Sequence, residues 1–120
     1  MQFGTSGLRG LVSDMSDALC AAYTRAFLSH LERMGEPVKI VLLGRDLRPS
    51  SPRIAAACGT AIRAAGATAV DCGVLPTPAL ALEAGARGVP AIMVTGSHIP
   101  FDRNGLKFYR ADGEITKADE

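Results

Sequence analysis

Hydrophobic residues recur along this chain with two periods, one typical of helices and the other typical of strands. The first helical pattern begins after Ser16, which can cap it, and ends at Gly35, which can adopt the left-handed conformation that closes many helices. Its apolar positions lie at helical spacing and are Leu19, Tyr23, Phe27, Leu31 and Met34. The pattern therefore predicts an amphipathic helix over residues 16–35.

A strand and a second helix are predicted next. The apolar run "VKIVLLG" is short and rich in β-branched residues, which is typical of a buried strand. In "SSPRIAAACGTAIRAAG", Ser51 is the expected N-cap, Pro52 the first helical residue and Gly66 the residue after the last turn. The apolar face of this helix is built mainly of small residues suited to close packing on a sheet: Ile54, Cys58, Ala61, Ile62 and Ala65.

The two patterns then repeat. "TAVDCG" predicts a strand, "TPALALEAGARG" a helix capped by Thr77 with Pro78 as its first residue, and "AIMVT" a third strand. This alternation favours parallel strands joined by right-handed crossovers. Asn104-Gly105 is typical of a tight turn, and "GLKFYR" after it predicts a fourth strand, antiparallel because its connection is short. We expect an α/β fold: a three-layer domain with a mostly parallel mixed sheet and one antiparallel edge strand.

Composition narrows the classes of function. The chain has 120 residues, room for one domain, and its 48% hydrophobic content is enough for a core. Its net charge of +1 gives no basic field for nucleic acid, and no apolar run approaches the ~20 residues of a membrane span. We therefore expect neither nucleic acid nor a membrane as a partner.

The cysteines and the first residues favour a cytoplasmic protein. Cys20, Cys58 and Cys72 are odd in number, and their separations match no zinc or CxxC pattern, so buried reduced thiols explain them best. The first ten residues lack the pattern of a signal peptide.

Three polar loops follow the three predicted parallel strands: "GRDLRPSS", "GVLPTP" and "TGSHIPFDRNG". The carboxyl ends of parallel strands meet at one edge of a sheet, where open α/β folds bind their ligands. We therefore expect the polar side chains of these loops to be neighbours in space.

Ser97 is the candidate for chemistry in the third loop. A serine that only bonds its own turn is the ordinary role for such a position. A serine hydrolase is disfavoured, because "TGSHIP" lacks the GxSxG pattern and adjacent residues on an extended backbone, here Ser97 and His98, point their side chains apart. A phosphoryl carrier fits better, since it needs converging cations and a group that moves a proton.

Cationic side chains outnumber acidic ones around Ser97. The nearby residues that carry or can carry positive charge are His98, Arg103, Lys107 and Arg110, against Asp102 alone. The first loop adds Arg45 and Arg48, where Asp46 either orients one of them or forms a surface pair with Arg45. Lys107 is either a solvated strand lysine or, where its strand brings it to the loop, a general acid/base.

The N-terminal segment "FGTSGLRG" surrounds Arg9 with glycines and small hydroxyl residues. A flexible tail is one interpretation. Phe3 and Leu8 favour another, since they are apolar enough to hold the segment against the domain. A glycine-rich loop with one arginine suits a phosphate, because backbone amides can converge on it together with the guanidinium. The segment matches neither GxxxxGK[ST] nor GxGxxG, so it gives nucleotide binding no support.

Four motifs, in the same order, resemble those of the α-D-phosphohexomutases, the family of phosphomannomutases, phosphoglucomutases and phosphoglucosamine mutases. They are "FGTSGLRG", "GRDLRPSS", "PTPAL" and "TGSHIPFDRNGLKFY". The resemblance implies that residues 1–120 are the first, catalytic-serine domain of a longer four-domain enzyme.

The resemblance also implies a role for each matching residue. Ser97 would be the phosphorylated serine, which gives its phosphoryl group to a hexose phosphate and recovers one from the bisphosphorylated sugar. Lys107 would be the general acid/base, and Arg9 and His98 would support the same catalytic centre. Mg²⁺ would be held by the phosphate on Ser97 and by aspartates of a second domain outside this chain, with a hexose 1,6-bisphosphate as activator.

Two loop residues depart from TASHNP, the family's commonest form: Gly96 replaces alanine and Ile99 replaces asparagine. The serine, histidine and proline remain, which implies retained chemistry with altered positioning or specificity. "TSGLRG" is closer to phosphomannomutases than to the "TDGIRG" of glucosamine enzymes, which favours mannose phosphate. We expect an isomerase of hexose phosphates that is inactive as residues 1–120 alone. The alternative is a non-catalytic α/β module that binds an anion or a sugar phosphate.

Overall fold

The structure is a computed structural model that describes residues 2–4, 7–96, 102–111 and 113–114. Within these ranges the helices are α1 (Asp17–Arg33), α2 (Ser51–Ala64) and α3 (Thr77–Arg87), and none of them is long and apolar enough to cross a membrane. The strands are β1 (Gln2–Gly4), β2 (Gly7–Leu11), β3 (Ile40–Arg45), β4 (Thr68–Val74), β5 (Ala91–Val94), β6 (Arg103–Arg110) and β7 (Gly113–Glu114).

These strands form one mixed sheet in the order β1-β2-β6-β5-β3-β4, with β7 paired to β6. β3 runs parallel to both β4 and β5, as the alternating pattern predicts, and β6 is antiparallel to β5, which is also as predicted. The predicted edge position of β6 was wrong, because β2 pairs antiparallel with its other side. Parallel pairing in the described sheet is thus confined to β3, β4 and β5, so the sheet is less parallel than predicted.

Helices cover both faces of the sheet, which confirms the predicted three-layer α/β architecture. α1 and α2 lie on one face, where the rings of Phe27 and Phe108 join α1 to β6 with their centroids 4.9 Å apart. α3 lies on the other face, where Leu80 and Ala84 pack with Met93 of β5. Each face buries its own apolar cluster, so β6 and β5 are sandwiched between helices.

Both predicted ends of α1 are confirmed. Ser16 accepts a hydrogen bond from the Leu19 N–H at 3.1 Å, and Gly35 has a φ of +82°. The buried face is rotated from the prediction, since Met34 is 41% exposed whereas Thr24 is buried. The Thr24 hydroxyl donates to the backbone carbonyl one turn earlier at 2.8 Å, which allows this polar side chain to be buried. A pattern of apolar residues cannot reveal such a position.

The predicted caps of α2 and α3 were each wrong by one residue. α2 begins at Ser51, so Ser50 occupies the cap position, and α3 begins at Thr77 after Pro76. In α2 the reason is a competing partner, because the Ser51 hydroxyl donates to Asp46 instead of capping the helix.

Cys20, Cys58 and Cys72 all lie within the described ranges and are free thiols. Burial raises the pKa of the Cys58 thiol to about 12. This thiol therefore stays protonated near neutral pH and is poorly reactive.

Candidate functional site

The C-terminal ends of β3, β4 and β5 lie at one edge of the sheet, and the loops that follow them begin there. The Asp46 N–H donates to the Val94 carbonyl at 2.9 Å, which joins the first loop to the end of β5. The Leu75 N–H donates to the Arg45 carbonyl at 3.3 Å, which joins the second loop to the end of β3. The predicted convergence is confirmed for the described residues. We call residues 45–51, 74–77 and 94–96 the loop edge.

Ser97 and His98, two of the predicted catalytic residues, lie outside the described residues, as does Ile99. The residues on either side of this segment are described, with Gly96 before it and Arg103 at the start of β6 after it. The surroundings of the candidate site can therefore be described from the residues on either side of this segment.

Arg9 and Lys107 lie on the same face of the sheet, the one that α3 covers. In the register of β2 and β6, Arg9 is opposite Gly105 and Lys107 is opposite Gly7, so the two cationic residues are diagonal neighbours, about 7–8 Å apart between their Cα atoms. Lys107 also pairs with Met93, near the end of β5. Arg9 is exposed and Lys107 is half-buried. The structure thus brings these two predicted site residues together beside the loop edge.

Gly105 allows the strands around Arg9 to approach closely. A Cβ at this position would lie 2.7 Å from the Leu8 carbonyl oxygen, 3.1 Å from that of Thr95 and 3.3 Å from Arg9 Cγ. The Arg9 side chain therefore lies across Gly105, and a side chain there would displace it. The predicted Asn104-Gly105 turn was wrong, because both residues belong to β6 and the glycine serves close packing.

Gly105→Ala is expected to lower the free energy of unfolding by about 1–3 kcal/mol, because the new methyl group meets backbone carbonyl oxygens that cannot rotate away. Urea unfolding would measure the difference. Gly85→Ala is the matched control, since nothing lies within 4 Å of a Cβ there and alanine is the better helix former in α3. A Gly105→Ala protein as stable as wild type would contradict the close packing.

Asn104 is fully buried and connects β6 to the start of α2. Its side-chain amide donates to the Ser50 hydroxyl at 2.8 Å and to the Ser51 hydroxyl at 3.0 Å, while its side-chain oxygen accepts from the Gly105 N–H at 2.8 Å. Sequence reasoning missed the role of this residue, because Asn104-Gly105 has the composition of a turn and the two serines that accept its hydrogen bonds lie far away along the chain.

The carboxylate of Asp46 accepts hydrogen bonds from the first and third loops. Oδ1 accepts from the Arg48 N–H at 3.1 Å and from the Ser51 hydroxyl at 2.5 Å. Oδ2 accepts from Arg48 Nε at 3.1 Å and from the Gly96 N–H at 3.0 Å. Burial raises the pKa of Asp46, but its hydrogen bonds, that of the Ser51 hydroxyl first among them, together lower the pKa below its ordinary value. Asp46 is therefore ionised at neutral pH, and these bonds are charge-assisted.

The two arginines of the first loop form ion pairs with different aspartates. Arg48 is 5% exposed and pairs with Asp46, so of the two alternatives left open for Asp46 the structure has the one in which it orients an arginine. Arg45 pairs with Asp71 of β4 at 3.2 Å rather than with Asp46. Arg48 is thus the arginine held at the centre of the loop edge.

Arg110 lies at the opposite end of the sheet, and its predicted place among the cations around Ser97 was wrong. Because β6 is antiparallel to β5, Tyr109 pairs with Ala91 at the start of β5, far from the loop edge. Arg110 there forms an ion pair with Glu36 at 3.4 Å.

Within the described ranges, no three His, Cys, Asp or Glu side chains are grouped so as to hold a metal ion. Asp46 does not supply a free ligand, because each of its oxygens already accepts two hydrogen bonds. The described part of the chain therefore does not fit a complete Mg²⁺ site by itself.

Comparison with known proteins gives consistent matches over the whole chain. The family model "Phosphoglucomutase/phosphomannomutase, alpha/beta/alpha domain I" matches residues 1–120. A phosphomannomutase of Salmonella muenchen is 55% identical over 120 residues, which cover 100% of this chain and 25% of that protein. A phosphoglucosamine mutase of Symbiobacterium thermophilum is 39% identical over 115 residues, which cover 92% of this chain and 26% of that protein.

A solved structure agrees with these sequence matches. The crystal structure of a phosphoglucomutase/phosphomannomutase family protein from Burkholderia thailandensis superposes with a TM-score of 0.82 at 31% identity. The match covers 95% of this chain and 27% of that one. The chain thus spans about a quarter of the length of the relatives it matches.

Proposed function

The chain belongs to the phosphoglucomutase/phosphomannomutase family, as its domain I, and we propose that it carries the phosphoserine of an enzyme that interconverts hexose 1-phosphate and hexose 6-phosphate. The observation that carries the proposal is the position of Arg9 and Lys107 as diagonal neighbours on one face of the sheet, near the end of β5 that leads towards Ser97. Two neighbouring cations suit phosphoryl transfer, because the oxygens of the transferring group carry negative charge.

In the proposed reaction the phosphoryl group moves between Ser97 and the sugar. The bond from phosphorus to the Ser97 oxygen breaks as a bond forms from phosphorus to a free hydroxyl of the hexose phosphate, which yields a bisphosphorylated sugar. After that sugar reorients, the Ser97 oxygen takes the phosphoryl group from its other end, and the isomeric monophosphate leaves. The serine ends each cycle phosphorylated, so no net phosphate is consumed.

Lys107 would move the proton that this transfer requires. Its neutral amine would accept the proton of the attacking sugar hydroxyl, and its ammonium form would protonate the oxygen that leaves phosphorus. Arg9 would bind phosphate oxygens through its planar guanidinium, and His98 would support the same centre. The family resemblance of "TSGLRG" and "TGSHIPFDRNGLKFY" supports these assignments.

The active protein is proposed to contain further domains, since the relatives are about four times as long as this chain. Phosphorylated Ser97 would give Mg²⁺ one ligand and carboxylates of another domain the rest, and the bound ion would neutralise charge on the phosphoryl group. Residues 1–120 alone would then be inactive. A hexose 1,6-bisphosphate would act as activator, and the free thiols fit a cytoplasmic enzyme.

Mannose phosphate is the proposed substrate. The "TSGLRG" segment resembles that of phosphomannomutases, and the chain is 55% identical to one relative of that name but 39% identical to a phosphoglucosamine mutase. A non-catalytic module that binds sugar phosphate through Arg9 and Lys107 was the other function that the sequence left open. Membership of a mutase family favours the enzyme.

Phosphopeptide mapping of the parent enzyme tests the proposal. After treatment with a hexose 1,6-bisphosphate and Mg²⁺, intact mass should rise by one phosphoryl group, which fragmentation should assign to Ser97. A folded parent that remains unphosphorylated at Ser97 would overturn the carrier role and leave the binding module as the better account.

A further inference from the structure

The loop after β3 contacts both sides of the undescribed segment that carries Ser97. We propose that Asp46, Arg48 and Ser51, which we call the β3 clamp, fix the position of Ser97 for phosphoryl transfer, with Asp46 as the central positioning residue. This inference rests on the proposed function of Ser97, but it assigns a role to residues that never need to touch the substrate.

The entry to the segment is held by Asp46. Its backbone N–H bonds the Val94 carbonyl at 2.9 Å, and its carboxylate accepts the N–H of Gly96 at 3.0 Å. The Thr95 side chain also hydrogen-bonds to Asp46. Three consecutive residues that lead directly into Ser97 are therefore bonded to one aspartate.

The exit from the segment is held by the same loop. Arg48 Nη1 donates to the carbonyl of Arg103 at 3.4 Å, and Ser51 accepts from the buried Asn104 at 3.0 Å. Because Arg48 and Ser51 both bond to Asp46, a single carboxylate links the entry and the exit.

Gly96 makes this arrangement possible. A Cβ at Gly96 would overlap the Arg48 guanidinium, so the arginine lies directly against the backbone of the residue before Ser97. Gly96 replaces the alanine of TASHNP, and the absence of a methyl group there leaves room for the buried guanidinium of Arg48. Asp46 neutralises that arginine, which a buried charge requires.

Holding both ends of a short loop reduces the number of positions that its central residues can adopt. Phosphoryl transfer depends on in-line alignment, and a displacement of about 1 Å can cost on the order of 100-fold in rate. Loss of the clamp should therefore lower kcat much more than it weakens binding of the sugar phosphate, whose cationic partners Arg9 and Lys107 lie on the opposite face of the sheet from Asn104.

The test is Asp46→Asn in the parent enzyme. The asparagine is nearly isosteric, but its amide nitrogen cannot accept hydrogen bonds from Gly96 and Arg48. We expect kcat to fall by about 30-fold or more with KM changed by less than about threefold, and phosphorylation of Ser97 by hexose 1,6-bisphosphate to slow in proportion. Mass spectrometry of quenched samples would follow the phosphorylation of Ser97.

Asp71→Asn is the matched control. Asp71 also pairs with an arginine, at 3.2 Å, and also accepts the N–H two residues ahead, at 2.8 Å, but it lies on β4 and contacts neither flank of the Ser97 segment. Its kcat should stay within about twofold of wild type. An equal loss in both variants would overturn the clamp, because any broken aspartate–arginine pair would then have the same effect.

Two further variants keep the outcome decisive. Where Asp46→Asn does not fold, Ser51→Ala replaces it. That change removes the link from the Asp46 carboxylate through Ser51 to Asn104, and it leaves the Gly96 bond and the bond from Asn104 to Ser50 intact. About a fivefold loss of kcat would support the clamp, and unchanged kcat would overturn it.

Ser97→Ala separates the two proposals. If the Ser97→Ala enzyme remains active, the proposed function fails. If Ser97→Ala is inactive while Asp46→Asn is fully active, only the β3 clamp is overturned.

Discussion

Replacing Ser97 with alanine is expected to reduce turnover of the parent mutase by about 10⁴-fold or more. Alanine has no oxygen to carry the phosphoryl group, so the bisphosphorylated sugar cannot form. A coupled assay with hexose 1-phosphate and a trace of hexose 1,6-bisphosphate would measure the loss. Binding of the hexose phosphate should survive, because Arg9 and Lys107 are unchanged.

Ser29→Ala is the control for this experiment, since Ser29 is exposed on α1 and lies on a helix away from the loop edge. It should leave kcat within about twofold of wild type. A Ser97→Ala enzyme that keeps roughly a tenth of wild-type kcat would exclude Ser97 as the carrier.

Lys107→Ala is expected to lower kcat by about 10²–10⁴-fold, the usual contribution of a general acid/base. Lys107→Arg keeps a positive charge at the same position, but a guanidinium does not exchange its proton near neutral pH. It should therefore retain binding of the sugar phosphate without restoring kcat.

Lys39→Ala is the control for the lysine variants, because Lys39 is exposed just before β3, and no change in kcat is expected. Full activity in Lys107→Arg would mean that Lys107 contributes its charge alone, and the assignment of proton transfer would then be wrong.

The sequence predicted those parts of the fold that depend on local patterns. The alternation of strands and helices predicted the parallel unit and the convergence of its loops, because right-handed crossovers leave few other arrangements. Ser16 and Gly35 predicted the ends of α1, because their effects act within one turn. Arg9 and Lys107 were identified from motifs, and their proximity followed only from the pairing of β2 with β6.

Pairings between distant segments could not be predicted in the same way. Asn104 and Gly105 have the composition of a turn, but their conformation is decided by strands on both sides, which need a glycine for close approach. Asn104 shares a face with Leu106 and Phe108, and its buried amide is satisfied by hydroxyls of a helix far along the chain. Such a partner leaves no local signal.

The prediction for Arg110 failed for a geometric reason. A strand advances about 3.4 Å per residue, so Arg110 lies about 10 Å beyond Lys107 along β6. Closeness in sequence to Ser97 therefore did not mean closeness in space, and Glu36 at the far end of the sheet became its partner.

The pairing of β2 with β6 also constrains the order in which the domain assembles during its synthesis. Gly7–Leu11 leaves the ribosome before α1, α2, α3 and the parallel strands, and its partner strand β6 follows only after all of them. Until residues 103–107 emerge, β1 and β2 can pair only with each other, although α1, α2 and the parallel strands can already associate. The region around Arg9 and Lys107 is therefore completed after the parallel unit, and a nascent chain stalled before β6 exposes the open side of β5 to neighbouring chains.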